Sequence, residues 1–197
     1  MRRHAPATDR NRDPILAVLS DVLPDEGRVL EIAAGTGQHT AYFSAAFPNL
    51  SWLPTDGNPD SLASIGAWNA DRPNVADARM LDVMVDSWGV DDEPLAAILC
   101  INMIHISPWE ATEALMAGAG RHLKPGGVLY TYGPYRIDGA HTSESNVRFE
   151  GWLHSLDERF GVRDLADVTA AAAAHGLVFE QRVVMPANNF SLVFRRA

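Results

Sequence analysis

The sequence predicts an α/β fold, a doubly wound and mostly parallel sheet of seven strands with an antiparallel hairpin at its C-terminal edge. Three observations predict it. Short β-rich runs alternate with helical spacing from Arg28 to Tyr132. The run Ala96 to Ile101 is apolar without alternation, as a strand covered on both faces must be. The chain then closes with two β runs joined by Pro186-Ala-Asn-Asn189.

The elements follow in order. Asp13 is placed as the N-cap of a first helix, with Pro14 at its first position and Ile15, Leu19 and Val22 on one face, running to Leu23. Arg28 to Ala33 reads as a strand ending in Ala34-Gly-Thr-Gly37, after which Thr40 to Phe47 regains helical spacing. Leu50 to Thr55 repeats the unit, with Asp56-Gly-Asn58 as the turn and Asn58 capping a helix from Pro59. Arg79 to Asp82 is a third short strand. After the buried fourth strand, Ser107 and Glu110 form a capping box for a helix to Leu123, which Lys124-Pro-Gly-Gly127 stops.

Val128 to Tyr132 is the fifth strand. The polar connection from Gly133 to Asn146 is long for a compact domain, and such loops are often functional. Phe149, Trp152, Leu153, Leu156 and Phe160 then fall at helical spacing, and Asp164 caps an Ala-rich helix ending at Gly176. Leu177 to Met185 and Phe190 to Arg195 form the hairpin. One domain is expected over residues 1–197, with residues 133–160 as a lid over a substrate.

Composition narrows the function. With 47% hydrophobic and 21% charged residues the chain can bury a core, so disordered and collagen-like classes drop out. Sixteen basic against 25 acidic residues, net −9, give no general attraction for nucleic acid or a membrane surface. The single cysteine, Cys100, lies in the fourth strand, which removes an internal disulfide and fits a reducing, cytoplasmic location. His39, His122, His141, His154 and His175 show no metal-ligand spacing, and no metal is expected; they read as surface or helix residues.

In a doubly wound sheet, ligands bind outside the carboxyl ends of the strands near the switch in strand order. Here those ends carry Glu31 to Gly37, Asp56, Asp82 and Asn102 to His105. Glycines after the first strand let a ligand approach the backbone, and a carboxylate ending the second strand is placed to accept both ribose hydroxyls of a nucleoside. Taken alone, Gly35-Thr-Gly37 is equally a plain turn and Asp56 the start of an Asx-turn with Asn58; together they indicate a nucleoside pocket.

At this point the chain resembles the class I S-adenosylmethionine-dependent methyltransferases, which have a Rossmann-like fold. The resemblance rests on Val29-Leu-Glu-Ile-Ala-Ala-Gly-Thr-Gly-Gln38, Asp56, Leu81-Asp-Val83 and Leu123-Lys-Pro-Gly-Gly127, and runs from about Val29 to the C-terminus. Asn11, Asn102-Met-Ile-His-Ile-Ser-Pro-Trp109, Ser145-Asn146, Gly161-Val-Arg-Asp164 and Met185-Pro-Ala-Asn-Asn189 are similar to one branch, domain-of-unknown-function family 938. The resemblance implies S-adenosylmethionine as cofactor. Glu31 with Gly35 and Gly37 would hold its methionine portion, Asp56 its ribose, and Asp82 with the backbone at Val83 its adenine; Asn11, Ala33, Gly57 and Asn102 complete those surroundings. Ala33 stands where the family has its first glycine, so a slightly wider turn is expected.

Two competitors remain. A dinucleotide-dependent oxidoreductase needs G-x-G-x-x-G, yet the third position is Thr40 and Glu31 would repel a diphosphate. A positive sulfonium is favoured by that carboxylate. A cofactor-binding or scaffold protein without catalysis is the other. On the acceptor side His105 is a candidate base, the only group there able to take a proton near neutral pH without a large pKa shift. Asn102, Tyr132 and Tyr135 would orient the acceptor, and Asn146, Asn188 and Asn189 would contact it. The Trp152 stripe reads as a packed helix face. The fourth strand lacks the Asn/Asp-Pro-Pro-aromatic string of many nucleic-acid methylators, so a small-molecule acceptor is expected, on a monomer or homodimer.

Overall fold

The computed structural model describes residues 1–90 and 93–197. The chain runs α1 (Pro6–Val22), β1 (Gly27–Ile32), α2 (Gln38–Ala46), β2 (Leu50–Asp56), α3 (Pro59–Asn69), β3 (Arg79–Met80), β4 (Leu95–Ile101), α4 (Trp109–His122) and β5 (Leu123–Gly133). It continues through β6 (Tyr135–Ile137), β7 (Ala140–His141), α5 (Glu144–Leu156), β8 (Arg163–Asp164), α6 (Leu165–Ala173), β9 (Leu177–Met185) and β10 (Asn189–Arg196). Seven strands form one sheet in the order β3-β2-β1-β4-β5-β10-β9, with β6, β7 and β8 in a small second sheet. The large sheet is parallel from β3 through β5, and β10 pairs antiparallel with both β5 and β9. Strand order reverses at β1, which lies between β2 and β4, so the cleft opens beyond Ile32, Asp56 and Ile101.

Alternation along the strands fills two cores. Val29, Leu99, Val128, Tyr130 and Tyr132 face α1 and α2, where Ile15, Leu19 and Phe43 are fully buried. Leu30, Ile32, Ile98, Cys100 and Leu129 face α4 and α6, meeting Leu115, Met116, Val168 and Ala172. Each such side chain contributes roughly 1.5–3 kcal/mol of burial, so the sheet is a rigid base for the loops at its carboxyl edge.

Several boundaries differ from expectation. α1 begins at Pro6 rather than Pro14, and Asp13 is no N-cap; it accepts a hydrogen bond from the Tyr42 hydroxyl at 2.6 Å. An interior proline disfavours a helix locally, but here the preceding turns are tied down by tertiary contacts. Ala5 N donates to Gln38 Oε1 at 2.5 Å, and buried Asn11 bonds His39. α4 is capped at Pro108 and not by Ser107, whose hydroxyl is turned back to the Met103 carbonyl. β3 has two residues, since Asp82 turns its carboxylate onto Met84 N. The segment Lys124 to Gly127 continues β5 as an irregular extension and does not separate it from α4. The connection after β5 is not one long loop but β6 and β7 followed by α5, which ends before Phe160. Among the described residues no helix is long and apolar enough to cross a membrane.

Candidate functional site

The loop after β1 is held in a left-handed conformation at three positions, Ala33 (φ 54°), Gly35 (φ 60°) and Gly37 (φ 87°). Ala33 therefore keeps the geometry that glycine takes freely, and the turn is not relaxed to suit its side chain. Gly37 is required for a second reason, because a Cβ there would lie 2.6 Å from the Ile65 Cα on α3. The loop is clamped by Asp56, whose Oδ2 accepts from Gly35 N at 2.8 Å and whose Oδ1 accepts from Asn58 N at 2.9 Å. Gly57 follows in the turn and is exposed.

Three carboxyl groups mark this side of the cleft. Glu31 is fully buried at the end of β1 and accepts a 2.5 Å hydrogen bond from the Thr40 hydroxyl. Burial, with Asp56 adding repulsion, pushes its pKa up to about 7. Thr40, which stands at the third glycine position of a dinucleotide fingerprint, spends its hydroxyl on Glu31. Asp82 is exposed beyond β3 and Val83 is buried beside it. A cationic ligand suits this donor set, and a diphosphate does not.

The acceptor side begins where β4 ends. Ile32 and Cys100 are paired on β1 and β4, so the turn residues Ala33 and Asn102 leave the sheet almost side by side. Asn102 also has a left-handed φ of 64°, and its N donates to the Tyr132 carbonyl at 2.9 Å. A cavity of about 630 Å³ adjoins it, lined by Asn11, Asn102, His105, Tyr132, Asn146, Asn188 and Asn189 together with apolar groups. Seven predicted site residues from five separate segments thus meet in one place. The Asn146 amide donates to the Asn188 carbonyl at 3.1 Å, and Asn189 Nδ2 donates to the Tyr132 hydroxyl at 3.1 Å, tying α5 and the hairpin connection to the sheet.

Two expectations need correction. His105 is not a base poised near neutrality. Burial, helped by the Arg163 charge, pushes its pKa down to about 3. Its ring packs edge-on to Phe149 at 5.6 Å, and its buried Nδ1 has no hydrogen-bond partner among the described residues. Gly133 makes this possible, since a Cβ there would sit 2.6 Å from the ring. Tyr135 does not reach the cavity: it is fully buried against the α4 and α6 core, its hydroxyl bonded to Thr131 at 2.8 Å, because it belongs to β6 and not to a rim loop. His39 lies in α2, a helix residue as read from the sequence, and is buried there, with its pKa pushed down to about 4 and Nε2 bonded to Asn11 Oδ1 at 2.8 Å.

Sequence reasoning also missed contributors. Trp152 and Phe149 are stacked at 5.6 Å and line the cavity, while the buried face of α5 is made by Asn146 and Leu153. Arg10 lines the same cavity. Arg3 crosses the glycine loop, its guanidinium donating to the Gly35 carbonyl at 3.3 Å and to Ser61 Oγ at 2.9 Å. Helical spacing flags Phe149 and Trp152 only as a stripe, and no periodicity flags Arg10 or Arg3, since the segments that carry them adjoin only after folding.

Comparison with known proteins agrees with this geometry. The chain belongs to the family described as protein of unknown function (DUF938), whose family model matches residues 2–196. Its fold is similar to solved methyltransferases. An O-methyltransferase family 2 protein from Planctomyces limnophilus in complex with apigenin is 18% identical with a TM-score of 0.77, over 94% of this chain and 62% of that one. An O-methyltransferase family protein from Burkholderia thailandensis is 17% identical with a TM-score of 0.79, over 94% and 56%. Human N-acetylserotonin methyltransferase in complex with SAM is 15% identical with a TM-score of 0.78, over 97% and 53%. The chain thus spans 53% to 62% of the length of these proteins. The alternating strands and antiparallel hairpin are those of the class I methyltransferase fold.

Proposed function

We propose that this chain transfers a methyl group from S-adenosylmethionine to a small-molecule acceptor. One observation carries the reading: the carboxyl groups at the ends of β1, β2 and β3 lie beside an amide-lined cavity that holds no carboxylate, and the two adjoin at Ala33 and Asn102. Bound there, S-adenosylmethionine supplies a methyl group already activated on a positively charged sulfur. Asp56 would hold the ribose hydroxyls with the lone pairs left free by Gly35 N and Asn58 N. Glu31 with the Gly35 and Gly37 turn would face the cationic methionine portion, with Asn11, Ala33 and Asn102 beside it. Asp82, the Val83 backbone and Gly57 would surround the adenine.

On the other side, Asn102 and Tyr132 orient the acceptor through hydrogen bonds. The neutral His105 ring is a wall and a hydrogen-bonding surface, not a proton sink. Alignment then does most of the work, and well-oriented reactions gain roughly 7–11 kcal/mol from it. The segment 133–160 supplies one wall of the cavity through Asn146, Phe149 and Trp152, and would act as a lid that excludes water. A small acceptor is also supported by the cavity's size, which is in the range of small-molecule pockets.

The test is a screen with methyl-labelled S-adenosylmethionine against small-metabolite pools, run beside a binding assay for that cofactor. Binding with label appearing in a small product is expected. Binding with no transfer to any pool would favour a non-catalytic, cofactor-binding role. Binding of NADH in its place would return the oxidoreductase reading.

A further inference from the structure

The cavity has an uneven chemistry. Of the side chains lining it, Arg10 carries the one formal charge, and no carboxylate faces it there. Among the described residues the Arg10 side chain makes no hydrogen bond or ion pair, and it lines the same cavity as Tyr132, on whose hydroxyl its charge acts. An unpaired cation at a pocket wall is a ready partner for an anion, while a cationic ligand would meet repulsion with nothing to offset it.

The proton of Tyr132 can be traced. Tyr132 is 3% exposed, and its oxygen accepts from Asn189 Nδ2 at 3.1 Å. Asn11 lines the cavity beside it. Asn11 Oδ1 is itself paired with His39 Nε2 at 2.8 Å. The phenol oxygen thus accepts one bond, and its own proton is left for a partner in the cavity. Burial pushes its pKa further above the usual phenol value and keeps it protonated at neutral pH. Tyr132 is a donor, beside a cation.

The opposite wall is flat and apolar. Phe149 and Trp152 are stacked at 5.6 Å with their planes 25° apart, and Trp152 and Ile106 remain 52% and 45% exposed at the cavity. Such surface gains roughly 25 cal/mol per Å² when a ligand covers it, with a further preference for an aromatic partner.

We propose that this cavity recognises a planar aromatic carboxylate, its acid group held between the Arg10 guanidinium and the Tyr132 O–H and its ring against Phe149 and Trp152. The proposal rests on the methyl-transfer reading for its role as acceptor, but the recognition itself stands on the cavity alone.

The experiment titrates the full chain, with and without saturating S-adenosylhomocysteine, with three matched probes: 4-hydroxybenzoate, 4-hydroxybenzamide and 4-hydroxybenzylamine. Calorimetry should show the acid binding at least tenfold tighter than the amide, and the amine weakest. Arg10 is exposed, so Arg10→Gln should fold normally. It should erase the acid's advantage while leaving amide binding unchanged, and Arg10→Lys should restore part of that advantage. Trp152→Ala should weaken acid and amide alike, and cyclohexanecarboxylate should bind more weakly than benzoate. Equal affinity for acid and amide, an acid preference that survives Arg10→Gln, or no binding of any probe by folded protein would overturn the proposal. If S-adenosylhomocysteine binds and the probes do not discriminate, only this proposal fails. If the acid is preferred and S-adenosylhomocysteine does not bind, the methyl-transfer reading fails and the carboxylate site stands.

Discussion

The two halves of the cleft are built differently. On the side of β1, β2 and β3 the ligand surface is backbone and carboxylate: three left-handed turn residues, an aspartate clamping the loop, and a buried glutamic acid. On the side of β4, β5 and α5 it is side-chain amides, stacked aromatics, a neutral histidine and one arginine. The first half is rigid because strand ends fix it. The second is assembled from segments that share no strand, held by bonds such as Asn146 to Asn188 and Asn189 to Tyr132. The contrast suits a constant donor on one side and a selected acceptor on the other.

The largest effect that would break this division is at Asp56. Asp56→Ala removes the proposed ribose contacts and also frees Gly35 N, which Asp56 now holds at 2.8 Å. Affinity for S-adenosylmethionine should fall about 100- to 1000-fold, roughly 3–4 kcal/mol. Trp152→Ala should leave it unchanged by calorimetry; a comparable loss there would mean that the two halves are not separate.

Glycine replacements should sharpen the contrast in rigidity. Gly37→Ala combines a φ of 87° with a Cβ 2.6 Å from backbone on α3, and should cost about 2–4 kcal/mol of stability in urea unfolding. Gly133→Ala presses only on the His105 side chain, which can turn aside, and should cost about 1–3 kcal/mol. The reverse order would contradict the assignment of the rigid half.

Titration separates the halves again. Glu31 has a pKa of about 7 and is protonated below it, so affinity for a cationic cofactor should rise with pH through 7 and level off above. His105, pushed to about 3, should add no dependence between pH 5 and 8. Stability carries the same signature. The folded state holds a proton on Glu31 that the unfolded chain releases at 4.5, and it refuses protons that His39 and His105 take at 6.5 when unfolded. Between those values the unfolded state binds one proton more from these three groups, so they should make stability rise by about 1.4 kcal/mol per pH unit. His105→Ala and His39→Ala should each flatten that slope.

The smallest effect is expected at Asp82→Asn. The amide oxygen keeps the bond from Met84 N that Asp82 now accepts at 2.9 Å, and the site is exposed, so S-adenosylmethionine affinity should change by about 1 kcal/mol or less.

Much of the rigid half was legible in the sequence. Glu31, Gly35, Gly37, Asp56 and Asp82 sit at fixed offsets from strand ends, and local turn chemistry names them. Thr40 was legible as a missing glycine, though its bond to Glu31 was not. The acceptor half was legible at the end of the fourth strand, from Asn102 to His105, and elsewhere chiefly through resemblance, because Asn11, Asn146, Asn188 and Asn189 are ordinary loop or helix residues until the chain folds. Phe149 and Trp152 were misread as a packed face, since spacing shows that a stripe exists and not what lies opposite it. His105 was misread as a base because its pKa depends on burial by Phe149 and Gly133, which no spacing encodes. The start of α1 was misplaced because a proline rule is local, whereas the bonds that hold Pro6 to Asp13 in a helix come from α2.

The most direct test of the account is a crystal structure of the chain with S-adenosylhomocysteine. The ribose hydroxyls are expected on Asp56, the amino acid portion beside Glu31 and Gly35, and the sulfur directed toward Asn102 and the cavity that Tyr132 and Trp152 line. Ligand density inside that cavity against Phe149 and Trp152, with the Gly35 loop and Asp56 making no contact to it, would contradict the division of the cleft and the function drawn from it.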